Sequence, residues 1–159
     1  MPFFYWFLCI FEIQKHKSMY DIIQKAHSGW AYLVLITLLI ALINAAIGGA
    51  SKKEFIPKDR RLTLFALIAA HMQLVFGFII YFVSPLGSAS FGQMSDKTLR
   101  LTSLEHPLVN IIAIVLITIG WSKHKKALDS SAKFKSITIF YGLGLLLILS
   151  RIPWSLWFQ

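Results

Sequence analysis

Residues 62–83 read LTLFALIAAHMQLVFGFIIYFV, an apolar run with no Asp, Glu, Lys or Arg and a single ionisable residue, His71. About 20 apolar residues, rising 1.5 Å each as a helix, cross the ~30 Å of hydrocarbon in a bilayer. The run is therefore a membrane span. Three more stretches have the same character: GWAYLVLITLLIALINAAIGG at 29–49, a run over 104–121 that contains EHPLVNIIAIVLITIGW, and SITIFYGLGLLLILSRIPW at 136–154. Pro107 suits the first turn of the third, where its missing amide proton has no intrahelical partner to lose, and Pro153 is expected to end the fourth.

The bulk properties agree. The 159 residues are 57% hydrophobic and 14% charged, and the mean hydropathy is +0.66, which leaves too little polar surface for a water-soluble domain of this size. The net charge of +9 invites a nucleic-acid reading, but ten of the sixteen Lys and Arg lie in two short segments between apolar runs. SKKEFIPKDRR, 51–61, holds Lys52, Lys53, Lys58, Arg60 and Arg61, and SKHKKALDSSAKFK, 122–135, holds Lys123, Lys125, Lys126, Lys133 and Lys135. Topology accounts for them, and nucleic acid is set aside as a partner. The positive-inside rule places both segments in the cytoplasm. The longer connection 84–105, rich in Gly, Ser and Pro, then lies outside with both termini, with a short surface helix near Lys97.

The expected architecture is an all-α, integral-membrane, up-and-down four-helix bundle in the bacterial inner membrane, with the lipid bilayer as its first partner. Residues 19–159 form the membrane domain. Residues 1–18 fit less well: MPFFYWFLCIF is too short to span and lacks the basic start of a signal peptide. With Met19 opening MYDIIQKAHSGW, that segment reads as an upstream extension or as an interfacial stretch. The single cysteine, Cys9, offers neither an internal disulfide nor a cysteine-based metal site.

Ionisable groups are costly inside a bilayer, so the histidines carry the functional reading. His16 lies in the doubtful extension, and His124 is expected as a solvated residue of the basic loop. His27 and His106 both stand at the outer edge of spans one and three. Those spans are diagonal in an up-and-down bundle, so the two imidazoles could meet across its axis with a flat macrocycle between them. His71, about 15 Å above the inner end of span two, would lie near the midplane as a ligand of a second haem, a proton-relay group or an interhelical hydrogen-bond donor to Asn44 or Asn110. Neutral imidazole ligates haem iron, and the expected cofactor is a b-type haem held by His27 and His106. Its propionates would meet Arg151, Lys25 or Arg100, and Asn110, four residues after His106, would orient the imidazole or serve as interhelical glue. Small residues Gly29, Ala45, Ala46, Gly142 and Gly144 mark close helix approach, and Trp30, Tyr32, Tyr81, Trp121, Trp154 and Trp157 form interfacial belts. No nucleophile and base pair, phosphate loop or paired carboxylates accompany them.

The segments HSGWAYLVL, AHMQLVFGFIIYFVSP, LEHPLVNIIAIVLITIGWSKHKK and ILSRIPW resemble a bacterial family of small four-helix membrane proteins labelled cytochrome B or cytochrome-b-like. The resemblance covers about Met19 to Phe158 and implies an inner-membrane haem protein with His27, His71 and His106 at the matching positions. A looser similarity is to one half of haem A synthase. Its activity is not carried over, because EHP lacks that family's longer separation between Glu and His. The resulting expectation is a haem protein that carries electrons between the quinone pool or a partner subunit and an outer acceptor, and that need not be an enzyme. The contrasting expectation is a structural or assembly subunit without cofactor, its histidines serving as hydrogen-bonding glue.

Overall fold

The computed structural model describes residues 19–158, and the expectations for residues 1–18, including His16 and Cys9, lie outside them. Six α-helices follow one another: α1 (Pro2–Ala50, described from Met19), α2 (Pro57–Val83), α3 (Lys97–Arg100), α4 (His106–Lys126), α5 (Ser130–Ser150) and α6 (Trp154–Trp157). No strand occurs among the described residues. Four helical segments, Met19–Ala50, Pro57–Val83, Lys97–Lys126 and Ser130–Ser150, are long and apolar enough to cross a membrane. In lipid every backbone amide and carbonyl must be satisfied within the protein, and a helix does this within one segment.

The chain is an all-α four-helix bundle. α1 packs on α2 and α5, and α4 packs closely on α5 and more loosely on α2, which leaves α1 and α4 on one diagonal and α2 and α5 on the other. Small side chains set the spacing: Ala41 and Ala45 on α1 and Ala66, Ala69 and Ala70 on α2 are all buried. Lipid tails are as apolar as the helices, so close van der Waals contact rather than hydrophobic expulsion holds such faces together. A Cβ on Gly144 would stand 2.6 Å from Ile117 Cγ1, one on Gly120 2.6 Å from Phe140 Cβ, and one on Gly48 2.5 Å from Phe134. Not every small residue plays this part, for Gly29 has nothing within 4 Å of a built Cβ and Ala46 faces outward. Tyr141, fully buried, ties the second diagonal by donating from its hydroxyl to Thr63 O at 3.1 Å.

Most of the helices overrun their apolar cores into the flanking polar segments, and two boundaries differ from the sequence expectation in ways that bear on the site. Span three starts at Lys97, where Asp96 caps Leu99 N at 2.9 Å, and α3 runs through a π-helical turn, Leu101–Glu105, straight into α4. Pro107 is thus interior to a continuous rod instead of opening one. Its ring would collide with the carbonyl four residues back in a regular α-helix, and the wider π turn relieves that collision. Span four stops at Ser150, short of Trp154. Arg151 leaves the helix with φ −129° and ψ 19°, two residues ahead of Pro153.

The two basic loops share one end of the bundle, and a polar knot closes it. Asp59, only 3% exposed, accepts from Lys53 Nζ at 2.8 Å, Asn44 Nδ2 at 2.9 Å and Ile56 N at 3.1 Å. His124 lies at this end too, and the expectation of a solvated residue is corrected: it is 2% exposed. Its ring centre is 4.5 Å from that of Trp121 and 5.6 Å from that of Phe55.

Candidate functional site

At the opposite end of the bundle, α1 and α4 present their histidines to each other across the first diagonal. The His27 and His106 ring centres are 6.2 Å apart with their planes at 75°. The end of α5 orients the second ring. A helix terminus leaves its last carbonyls without intrahelical partners, and His106 Nδ1 donates to Arg151 O at 2.7 Å. A carbonyl can only accept, so the proton is on Nδ1 and Nε2 keeps its lone pair. Asn110 Nδ2 donates to His106 O at 2.6 Å and lies 3.2 Å from Nδ1, which places it against the ligand candidate on the same helix face.

His27 is held from α2. Gln73 Nε2 donates to His27 O at 3.0 Å and lies 3.3 and 3.4 Å from the two ring nitrogens. A Cβ on Gly77 would come 3.5 Å from His27 Cε1, so the missing side chain leaves room on that flank. The nitrogen-bearing edge of His27 therefore faces α2, while Gln73 Oε1 is buried with no hydrogen-bond partner among the described residues. A buried acceptor left bare is costly, and such an atom marks a place where a donor is wanted.

Both rings line a cavity of about 390 Å³, walled mainly by apolar side chains of all four spans, with Gln73 and Asn110 among its few polar groups. Its volume falls within the range of sites for cofactor-sized ligands. Between α2 and α4, the most loosely packed neighbours, the wall is made of Phe78, Leu108 and Ile111. These are 48%, 51% and 36% exposed on the bundle's outer surface, so this flank of the cavity reaches the face that lipid would cover.

Arg100 and Arg151 do not line the cavity but meet beside His106. Glu105 joins them, accepting from Arg100 Nε at 3.0 Å through Oε1 and pairing with Arg151 Nε at 3.4 Å through Oε2. Sequence reasoning saw Arg151 and Arg100 as anion partners but missed that Glu105, beside His106, engages both. Arg100 stands five residues before Glu105, about 140° round a regular α-helix, so the pair leaves no signal in the sequence; the π turn over Leu101–Glu105 brings the two together. Lys25 is exposed on α1.

His71 is separate from this group. It does not line the cavity; its Nδ1 donates to Leu67 O at 2.8 Å in its own helix and its Nε2 lies 3.3 Å from Thr118 Oγ1 of α4. Neither Asn44 nor Asn110 is its partner, since the first belongs to the Asp59 knot and the second to His106. The aromatic belt is also partly redeployed. Trp30 turns inward, donating from Nε1 to Ala69 O at 2.9 Å, while Tyr81 and Trp157 line the cavity. Compared with family models, curated proteins and solved structures, the chain matches none.

Proposed function

We propose that the chain is an inner-membrane b-type haem protein that carries electrons between the quinone pool, or a partner subunit, and an acceptor on the outer face. The observation that carries this reading is the 6.2 Å separation of the His27 and His106 ring centres. Two imidazoles that ligate one metal from opposite sides, each nitrogen about 2.0 Å from it, hold their ring centres roughly 6 Å apart. His27 and His106 would hold the group, each with a ring nitrogen. Bound there, a haem would supply reversible one-electron chemistry.

The chain's own residues would do the rest. Arg151 O keeps the His106 proton on Nδ1 and so keeps Nε2 available, the arrangement in which a second partner fixes the tautomer of a ligating histidine. To serve as a ligand His27 would turn its ring about χ2 away from Gln73, whose amide lies against both ring nitrogens. The apolar walls would exclude water from the ring, and Arg100, Arg151 and Lys25 are the cations that could meet its propionates. The flank between α2 and α4 offers a lipid-soluble quinol a way to the edge of the ring. By the positive-inside rule the Asp59 end faces the cytoplasm, with the histidine end and both termini outside.

Protein purified from haem-replete cells should give the reduced-minus-oxidised spectrum of a b haem. His27→Ala and His106→Ala should each abolish it, and His71→Ala should retain it. Wild-type protein without haem would remove the electron-carrier reading and favour the assembly subunit, in which the same histidines serve as interhelical glue.

A further inference from the structure

At the basic end of the bundle, cations converge without a counter-charge. Arg60 Cζ and Lys125 Nζ lie 5.9 and 5.8 Å from the centre of the same Trp121 ring. Lys133 Nζ is 5.9 Å from the Phe55 ring centre, and the Trp121 and Phe55 rings both pack on buried His124. Three cations, from α2, α4 and α5, therefore stand against one aromatic group contributed by α4 and the first loop. Cation–π contacts hold their positions but leave the charge unneutralised.

Two of the three carboxylates of this end are otherwise engaged, and the third, exposed Glu54, makes no ion pair among the described residues. Asp59 is turned inward to Lys53 and Asn44, and Asp129 caps Ala132 N at 2.7 Å. Among the described residues no carboxylate lies within 4.0 Å of Arg60, Lys125 or Lys133. Helix dipoles make the convergence more unfavourable. Arg60 and Lys133 stand in the first turns of α2 and α5, where the helix terminus is itself positive and disfavours a cation but attracts an anion. Lys125, in the last turn of α4, is the one of the three that a helix terminus stabilises. A second observation points the same way: His124 Nδ1 is buried without a partner among the described residues, so the ring lends no acceptor to the neighbouring cations.

We propose that Arg60 and Lys125 at Trp121, with Lys133 at the neighbouring Phe55, form a binding site for the phosphodiester headgroup of an anionic phospholipid. The site lies at the ends of spanning helices, where a phosphate is held at the right depth by its own acyl chains and a half-buried Trp121 offers an apolar edge to the glycerol. Each lysine or arginine near an anionic membrane surface adds attraction, and basic pockets between helix ends recognise such headgroups. The inference does not depend on the haem reading.

The test uses the full chain in a neutral detergent and reads its thermal midpoint. Phosphatidylglycerol should raise the midpoint by about 5 °C, while phosphatidylcholine and inorganic phosphate at the same concentration should leave it unmoved. R60Q/K125Q should lose the rise and keep the lipid-free midpoint; should that variant not accumulate, R60Q and K125Q alone should each lose at least half of it. R60K/K125R should restore the rise. K58Q/K126Q, which removes two exposed charges of the same end, should keep it. An equal rise with phosphatidylcholine, an equal rise with inorganic phosphate, a rise that survives R60Q/K125Q, or one that K58Q/K126Q removes just as well would each overturn the proposal.

Discussion

His106 is oriented by a backbone atom, and this has a consequence for Arg151. The contact runs to the carbonyl of Arg151 and not to its guanidinium, so Arg151→Gln should leave His106 in place and lose only the proposed propionate contact: haem should still bind, at reduced stoichiometry, as measured by the absorbance ratio of the Soret band to protein. Wild-type stoichiometry in that variant would remove Arg151 from the propionate contacts. Asp59 presents the opposite case, because its side chain is the acceptor for three donors from the first loop and the end of α1. Asp59→Ala should destabilise the bundle by about 1–3 kcal/mol, the cost of leaving buried donors unpaired; a detergent-unfolding midpoint would read it. The buried Asp59 knot could not be foreseen from SKKEFIPKDRR, whose residues all look solvated. The His27 and His106 pairing was legible, because their positions at the same ends of parallel spans fix their depth.

Packing between helices is decided by individual small residues. Gly144→Ala would drive a Cβ to 2.6 Å from Ile117 Cγ1 and 3.1 Å from Ala113 O, neither of which can yield without moving α4 from α5. A loss of about 1–3 kcal/mol is expected. Gly29→Ala meets nothing within 4 Å and should fall within about 0.5 kcal/mol of wild type. The pair of variants, compared by thermal denaturation in detergent, separates glycine as a packing device from glycine in sequence pattern alone. Both stand in apolar spans and look alike in the sequence. The π turn before Pro107 escaped the sequence reading for a similar reason: X-Pro signals a helix start equally well, and only the placement of α3 against the bundle shows that the rod continues through it.

For the whole molecule, the topology makes an expectation that labelling can check. In a Cys9→Ser background, Glu54→Cys and Leu128→Cys should react with a membrane-impermeant maleimide from one side of the bilayer, and Gly92→Cys from the other. With the basic end in the cytoplasm, intact cells or spheroplasts should label Gly92→Cys alone. Labelling of all three from one side would break the four-span arrangement. The cavity at one end and the cation cluster at the other then face different compartments, so the proposed haem site and the proposed lipid site should be separable by mutation.

Hydrophobic runs of span length and the clustering of lysine and arginine are local properties of the chain, and they sufficed for the all-α class, the four spans and their alternation. Hydrocarbon admits so few backbone solutions that length and polarity alone select the helix. What lies beside what was decided only in three dimensions. The tertiary structure gave Gln73 to His27, the freed carbonyl of Arg151 to His106, Glu105 to two arginines, Thr118 to His71 and an aromatic enclosure to His124. Rotation of each helix about its own axis sets these partners, and the low hydrophobic contrast between lipid and helix faces leaves little in the sequence to reveal that rotation.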